Sequence, residues 1–194
     1  RDEEAIADRT HPEPVPAVTP DMRLDGIHHI TGITDSLADA GSFYEEALGL
    51  RLVKKTLNQD DAKTKHYFWA HYDGEEVGAH SAMTLFGWPG SDYRTRPGAG
   101  QTHHVAFRAA DEEEQIAWRE HLLGLGIEVT PVRDRTYFRS IYFQAPDGLL
   151  VEIATDGPGF GVDEAAESLG SELKLPEWLE SRRSQIEGAL QPLG

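Results

Sequence analysis

From Gly26 onward the chain is dominated by short runs in which apolar and polar residues alternate, broken by two longer stretches with helical spacing. Alternation sends successive side chains to opposite faces of a strand, whereas recurrence at three and four residues gathers them on one face of a helix. The stretch from Gly26 to Thr34 reads as a strand, with Asp35 as a helix N-cap and a helix over about Ser36 to Leu48. That helix places Leu37, Ala40, Phe43, Tyr44 and Ala47 on one side, and Gly49 ends it. Strands are predicted at Leu50 to Leu57, His66 to Tyr72 and Ala79 to Phe86, ahead of a Gly- and Pro-rich loop from Gly87 to Gly100. The order then begins again. A strand starts at Thr102, a helix covers Asp111 to Leu123, and a strand covers Ile127 to Val132. A hairpin from Arg135 to Asp156 follows, turning at Pro146, Asp147 and Gly148.

The repetition has a fixed offset. His28-His29 recurs as His103-His104 and Leu48-Gly49-Leu50 as Leu123-Gly124-Leu125, both 75 residues on (104 − 29 and 123 − 48). Gly87-Trp-Pro-Gly matches Asp156-Gly-Pro-Gly at an offset of 69 (158 − 89), so the second copy is shorter before its last strand. Matching offsets with matching element order point to duplication of a βαβββ module.

The predicted fold class is α+β: two βαβββ modules forming a mixed sheet, with a C-terminal helical tail. The expected organisation is an extended arm over residues 1–22, modules over 23–92 and 93–160, and a tail over 161–194. The tail has a helical stretch near Val162 to Leu169 and a longer helix from Pro176 to Leu190, where Trp178, Leu179, Ile186 and Leu190 can cover a sheet edge or face.

Composition narrows the chemistry. The 194 residues contain no cysteine, which excludes thiolate metal sites and cysteine nucleophiles, so a metal must take His, Asp or Glu ligands. Acidic residues outnumber basic ones 34 to 18, for a formal charge of −16, which argues against a nucleic-acid or anionic-membrane surface. No apolar run approaches the roughly 20 residues that span a bilayer. The charged start is unlike a secretory signal, and a cytoplasmic protein is expected.

The face rule then selects candidates. On the second strand of the hairpin, Leu149, Val151 and Ile153 share the packing side, leaving Glu152 on the opposite face. A carboxylate between Val and Ile is costly to bury without a partner or a metal. Val105 and Phe107 likewise turn His104 to the face opposite the packing side, as Tyr142 is turned by Ile141 and Phe143; by the repeat, His29 holds the same place in the first copy, with Thr31 beside it. His29, His104 and Glu152 make a two-His, one-carboxylate set of the kind that holds Fe(II), or Mn(II) or Zn(II), with one face open. Counting back from the proline match puts Met83 at the fourth equivalent place, where a thioether is a poor ligand. Tyr142 is a plausible acid or base and Arg135 a plausible substrate contact, while His66, His71, His80 and His121 have no comparable support.

At these residues the sequence resembles the vicinal oxygen chelate superfamily, and within it the ring-cleaving dioxygenases that act on hydroquinones. The resemblance runs from about Arg23 to Leu190. It rests on Leu-Gly-Leu-Arg-Leu-Val-Lys-Lys-Thr ending at Thr56, Phe86-Gly-Trp-Pro-Gly, Tyr137-Phe-Arg-Ser-Ile-Tyr, Val151-Glu152, and Gly159-Phe-Gly-Val-Asp-Glu through Ser168-Leu-Gly. It implies a cupped sheet around one divalent metal, with His29, His104 and Glu152 as Fe(II) ligands and His28, His103, Thr31, Arg135 and Tyr142 near the ring and oxygen. The hydroquinone enzymes usually have four modules, and this chain carries counterparts of two. The site could therefore form within one chain or across a homodimer. The implied activity is Fe(II)-dependent opening of a small hydroquinone- or catechol-type ring by O₂. A glyoxalase-type lyase or isomerase, a thiol transferase and a non-catalytic small-molecule binder are the alternatives on the same fold.

Overall fold

The computed structural model describes residues 17–22, 24–90 and 98–190. Most of the expected N-terminal arm and the middle of the loop at 87–100 lie outside the described residues. The chain divides into two compact units, the larger made of Leu24–Arg133 and Ser140–Thr155. Both βαβββ repeats have their helices and most of their strands in it.

The first repeat consists of β1 (His29–Thr34), α1 (Leu37–Leu48), β2 (Arg51–Leu57), β3 (Lys65–Ala70) and β4 (Ala82–Gly87). The second consists of β5 (His104–Ala109), α2 (Glu112–Gly124), β6 (Arg133–Asp134), β7 (Phe138–Gln144) and β8 (Leu150–Pro158). Each forms a four-stranded sheet of the same order, β1-β4-β3-β2 and β5-β8-β7-β6. The first strand of each pairs with the last in parallel, and β4 pairs antiparallel with β3, so the sheets are mixed as expected.

Local chemistry explains the helix limits. Ser36, not Asp35, caps α1: its hydroxyl accepts from the Asp39 N–H at 3.2 Å. Gly49 ends the helix at φ 64°, where a side chain would be strained. Asp111 caps α2 in the same way, accepting from the Glu114 N–H at 2.9 Å. The buried side of α1 (Ala40, Tyr44, Ala47) packs with Trp69 and Leu85 of the first sheet, and Leu122, Ile141, Phe143, Val151 and Ile153 continue the core into the second repeat. Each large apolar side chain buried there contributes about 1.5–3 kcal/mol.

The hairpin forms where expected. Gly148 takes φ 85° in its turn and donates to Ala145 O at 2.9 Å, while the Ala145 N–H donates to Leu149 O at 2.9 Å. Ile127 to Val132 is not a strand; only Arg133–Asp134 pairs as one. Here one backbone bond, from the Thr130 N–H to Tyr142 O at 3.0 Å, is joined by side-chain bonds in place of a full ladder. Arg119 Nε donates to Thr130 O at 2.9 Å, and the Thr130 hydroxyl accepts the Tyr142 N–H at 3.1 Å.

The smaller unit includes Asp134–Arg139 and residues 156–190. Tyr137 donates to Asp163 at 3.1 Å and lies 5.5 Å from the Phe160 ring, and Arg139 pairs with Asp134. The predicted helix near Val162 to Leu169 is instead two single 3₁₀ turns, Phe160–Val162 and Ala166–Ser168. The predicted helix from Pro176 to Leu190 is two pieces, α3 (Glu177–Glu180) and α4 (Arg183–Ala189), and Trp178 is 75% exposed. Neither piece has a buried residue to hold it, and helices this short are marginal without packing. Among the described residues no helix is long and apolar enough to cross a membrane.

Candidate functional site

Glu152 sits in the middle of β8 with 2% of its surface exposed. Its partners come from two neighbouring strands. On β7, Ser140 Oγ and Tyr142 Oη both donate to Oε1, the latter at 3.0 Å. From β5, His104 Nε2 lies 2.8 Å from Oε2. The two carboxylate oxygens are thereby separated in role: Oε1 is saturated by hydroxyl donors, and Oε2 faces an imidazole nitrogen. This is the partnership a buried carboxylate requires.

His104 is itself oriented. Its Nδ1 lies 2.8 Å from Nδ1 of His103, and the two rings meet edge to face with centroids 5.2 Å apart. If His104 Nδ1 donates to His103, then Nε2 presents a lone pair to Oε2, and two acceptors at 2.8 Å need a proton or a cation between them. His104 and Glu152 therefore fit as two ligands of a divalent metal, with Ser140, Tyr142 and His103 aiming them. Their nitrogen and oxygen donors suit Fe(II), Mn(II) and Zn(II) alike.

His29, the third expected ligand, carries the same local arrangement on β1: its Nδ1 is 2.8 Å from Nδ1 of His28. It is not gathered with the other two, and among the described residues no group of three His, Cys, Asp or Glu is placed to hold a metal ion. His29 does share a cavity of about 330 Å³ with β5. That cavity is lined by His29, His80, Met83, Ala106, Phe107 and Arg108, among others, so the histidine of the first repeat and the strand that carries His104 border one space. The volume exceeds that of a single aromatic ring.

Thr31 pairs in register with Thr84 and accepts its hydroxyl proton at 2.8 Å. Arg135 belongs to the smaller unit, where its N–H donates to Phe138 O at 2.9 Å.

The register corrects one expectation. Thr31 pairs with Thr84 and Ala106 with Glu152, and the first of each pair is related by the 75-residue offset (106 − 31). Thr84, not Met83, thus occupies the place of Glu152. Met83 corresponds to Val151 and is buried in the core with it. Counting from the prolines failed because Pro89 lies two residues beyond Gly87, whereas Pro158 lies three beyond the matching Thr155.

Two participants escaped the sequence reading. Ser140 shares its face with Tyr142 two residues on, the spacing that would have marked it. His66 lies 2.9 Å from Thr84 Oγ1 through Nε2, a contact that only the sheet register brings about.

With this geometry in view, the relatives are informative. The model of the Glyoxalase/Bleomycin resistance protein/Dioxygenase superfamily matches residues 26–153. "Putative ring-cleaving dioxygenase MhqO" of Bacillus subtilis is 37% identical over 175 residues, 90% of this chain and 52% of that protein. A chlorohydroquinone/hydroquinone 1,2-dioxygenase of Sphingobium indicum is 30% identical over 177 residues, 88% of this chain and 50% of that protein. The chain thus spans about half the length of these curated relatives. A crystal structure described as a putative dioxygenase from Bacillus subtilis superposes with a TM-score of 0.50 at 25% identity, covering 86% of this chain and 96% of the other. The repeated sheet order, the family match and these similarities agree: the chain belongs to the glyoxalase/bleomycin resistance protein/dioxygenase superfamily.

Proposed function

We propose that this chain is an Fe(II)-dependent dioxygenase of the ring-cleaving kind, acting on a hydroquinone- or catechol-type aromatic. The observation that carries this reading is the buried Glu152, oriented by two hydroxyls on one oxygen and set against His104 on the other. His104, Glu152 and His29 would hold the metal. The dioxygenase names of the relatives support the reaction class and the aromatic substrate. When bound, the metal would supply a Lewis-acidic, redox-active centre for the ring and O₂.

The protein's own groups would bind and orient. His28 and His103 are exposed and each steadies the histidine next to it through Nδ1; either would take a proton from an incoming aromatic hydroxyl only by giving up that contact. Tyr142 holds Oε1 of Glu152 and keeps its ring edge-on to His104, with centroids 6.3 Å apart. Arg135 is proposed as a contact to the substrate. A homodimer is proposed as the working state, since two copies would bring the module number to four, and a cytoplasmic setting is proposed with it. Thr84 at the Glu152-equivalent place disfavours the four-ligand isomerase alternative, because a threonine hydroxyl is a poor fourth ligand.

The test is oxygen uptake by anaerobically Fe(II)-reconstituted protein with a panel of hydroquinones and catechols, with Glu152→Ala as control. Uptake tied to a ring-opened product and lost in the variant is the expected result. No uptake from protein holding one metal per site would replace this reading with redox-neutral chemistry.

A further inference from the structure

The first repeat has a polar arrangement of its own at the place where the second has its carboxylate. Thr84, fully buried in β4, has a single hydroxyl proton and lies with its Oγ1 2.8 Å from Thr31 Oγ1, a bond we assign with Thr84 as the donor. The contact between Thr84 Oγ1 and His66 Nε2 at 2.9 Å must then be a donation from the imidazole. The His66 ring cannot readily turn to offer its other nitrogen. Phe68 and Phe86 lie on either side of it along the sheet face, with ring centroids at 4.2 and 4.3 Å and tilts of 38° and 40°. Burial, with a smaller contribution from the charge of His29, lowers the His66 pKa from its ordinary value and so favours the neutral ring.

The chain of hydrogen bonds therefore has one direction: His66 Nε2–H to Thr84, Thr84 O–H to Thr31. Thr31 has accepted, and its own proton remains to be given away. Its residue is exposed and stands two positions along β1 from His29, on the same face. The corresponding place in the second repeat is Ala106, which has no proton to give. The two repeats have diverged to opposite polarity: one presents a carboxylate fed by hydroxyls, the other a hydroxyl with its lone pair filled and its proton outward.

Resting on the dioxygenase reading above, we propose that His66, acting through Thr84, is a positioning residue that fixes the Thr31 hydroxyl as a hydrogen-bond donor to the phenolate oxygen of the bound aromatic. A phenolate has only lone pairs to offer, so a donor fixed in advance favours it over the neutral phenol, which must also place its own proton. A rotating Thr31 hydroxyl would lose that preference.

Two measurements test this, and neither needs turnover. Long-range ¹H–¹⁵N correlation spectra of the imidazoles are expected to show His66 as the neutral Nε2–H tautomer in the unmodified protein. An Nδ1–H tautomer or a charged ring at pH 7.5 overturns the proposal. The second measurement is binding of 4-nitrophenol, whose phenolate and phenol absorb at different wavelengths. Thr31→Val and Thr84→Val are expected to weaken phenolate binding about tenfold, with little change for the phenol. Thr84→Ser and His66→Gln, which keep the hydroxyl and the N–H donor, are expected to restore most of it. Equal phenolate affinity in Thr84→Val and the unmodified protein, or no phenolate binding by the unmodified protein, overturns the proposal. Absent oxygen uptake with the phenolate preference intact would remove the dioxygenase reading and leave the donor chain standing.

Discussion

Thr84 and Glu152 hold the same register position in the two repeats, each directly beside the residue two places beyond a strand-initiating histidine. One is a hydroxyl that gives a proton to the strand next to it, and the other a carboxylate that accepts two. Replacing the first by the second is the direct test of how far the repeats remain equivalent. Thr84→Glu is expected to unfold more easily without metal, because the position is fully buried and the new charge has no second hydroxyl donor. With Zn(II) present it should regain stability, with His29 as the nearest co-ligand for the new carboxylate. A thermal shift with Zn(II) identical to that of the unmodified protein would show that His29 cannot ligate together with this position.

Ser140→Ala and Tyr142→Phe each remove one of the hydroxyls on Glu152 Oε1. Ser140 is fully buried, so its loss leaves an oxygen that water cannot reach, at a cost of about 1–3 kcal/mol. Tyr142 is only half-buried, so water can replace part of its bond and the cost should be smaller. Metal affinity should fall about 10–100-fold in either variant. Urea denaturation and metal titration check the two effects separately; a greater loss of stability in Tyr142→Phe would reverse the assignment.

Gly41→Ala sets helix propensity against packing. Alanine gains about 1 kcal/mol in a helix interior. A Cβ at this position would lie 2.9 Å from Cζ2 of Trp69, a buried ring tethered by Nε1–H donation to Glu45 at 3.1 Å. Overpacking a rigid contact costs about 1–3 kcal/mol. Packing should win, and the variant should melt below the unmodified protein; a higher melting temperature would mean that Trp69 yields.

Burial lowers the His66 pKa in the folded chain, so below pH 6.5 the unfolded chain binds the proton more readily than the folded one. Its contribution to stability is present above pH 6.5 and is lost as the pH falls below it. The unfolding free energy of the unmodified protein should therefore drop more steeply from pH 7 to 5 than that of His66→Gln. Parallel curves would show that His66 is equally titratable in both states.

The histidine pairs at a constant offset were enough to predict a duplicated βαβββ fold, because alternation alone fixes which side of a strand faces the core. Alternation along the hairpin picked out Glu152, a carboxylate flanked by Val151 and Ile153 and therefore in need of a partner. What escaped depended on partners chosen across strands. Met83 was taken for Thr84 because one extra residue lies between Thr155 and Pro158, and only the pairing of β1 with β4 reveals it. Ile127 to Val132 has strand-like alternation, yet beside the one backbone bond from Thr130 to Tyr142 the Arg119 side chain and the Thr130 hydroxyl take the remaining partners. His66 looks like any half-buried histidine until Thr84 is placed beside it. The tail has apolar residues at helical spacing, but spacing does not state whether a face finds something to cover, and Trp178 stays in solvent.

The carboxylate and its two hydroxyl donors are close in sequence: Ser140 is 12 residues and Tyr142 10 residues from Glu152, across a single turn. Closing so short a loop costs little chain entropy, and hairpins form in about 1–10 μs. His104 lies 48 residues from Glu152 (152 − 104) and has to be brought in by parallel pairing of β5 with β8, which waits on α2 and the strands between. A refolding chain is therefore expected to aim its acidic group first and supply the imidazole afterwards, so that the order of assembly runs from the orienting hydroxyls toward the histidine they serve.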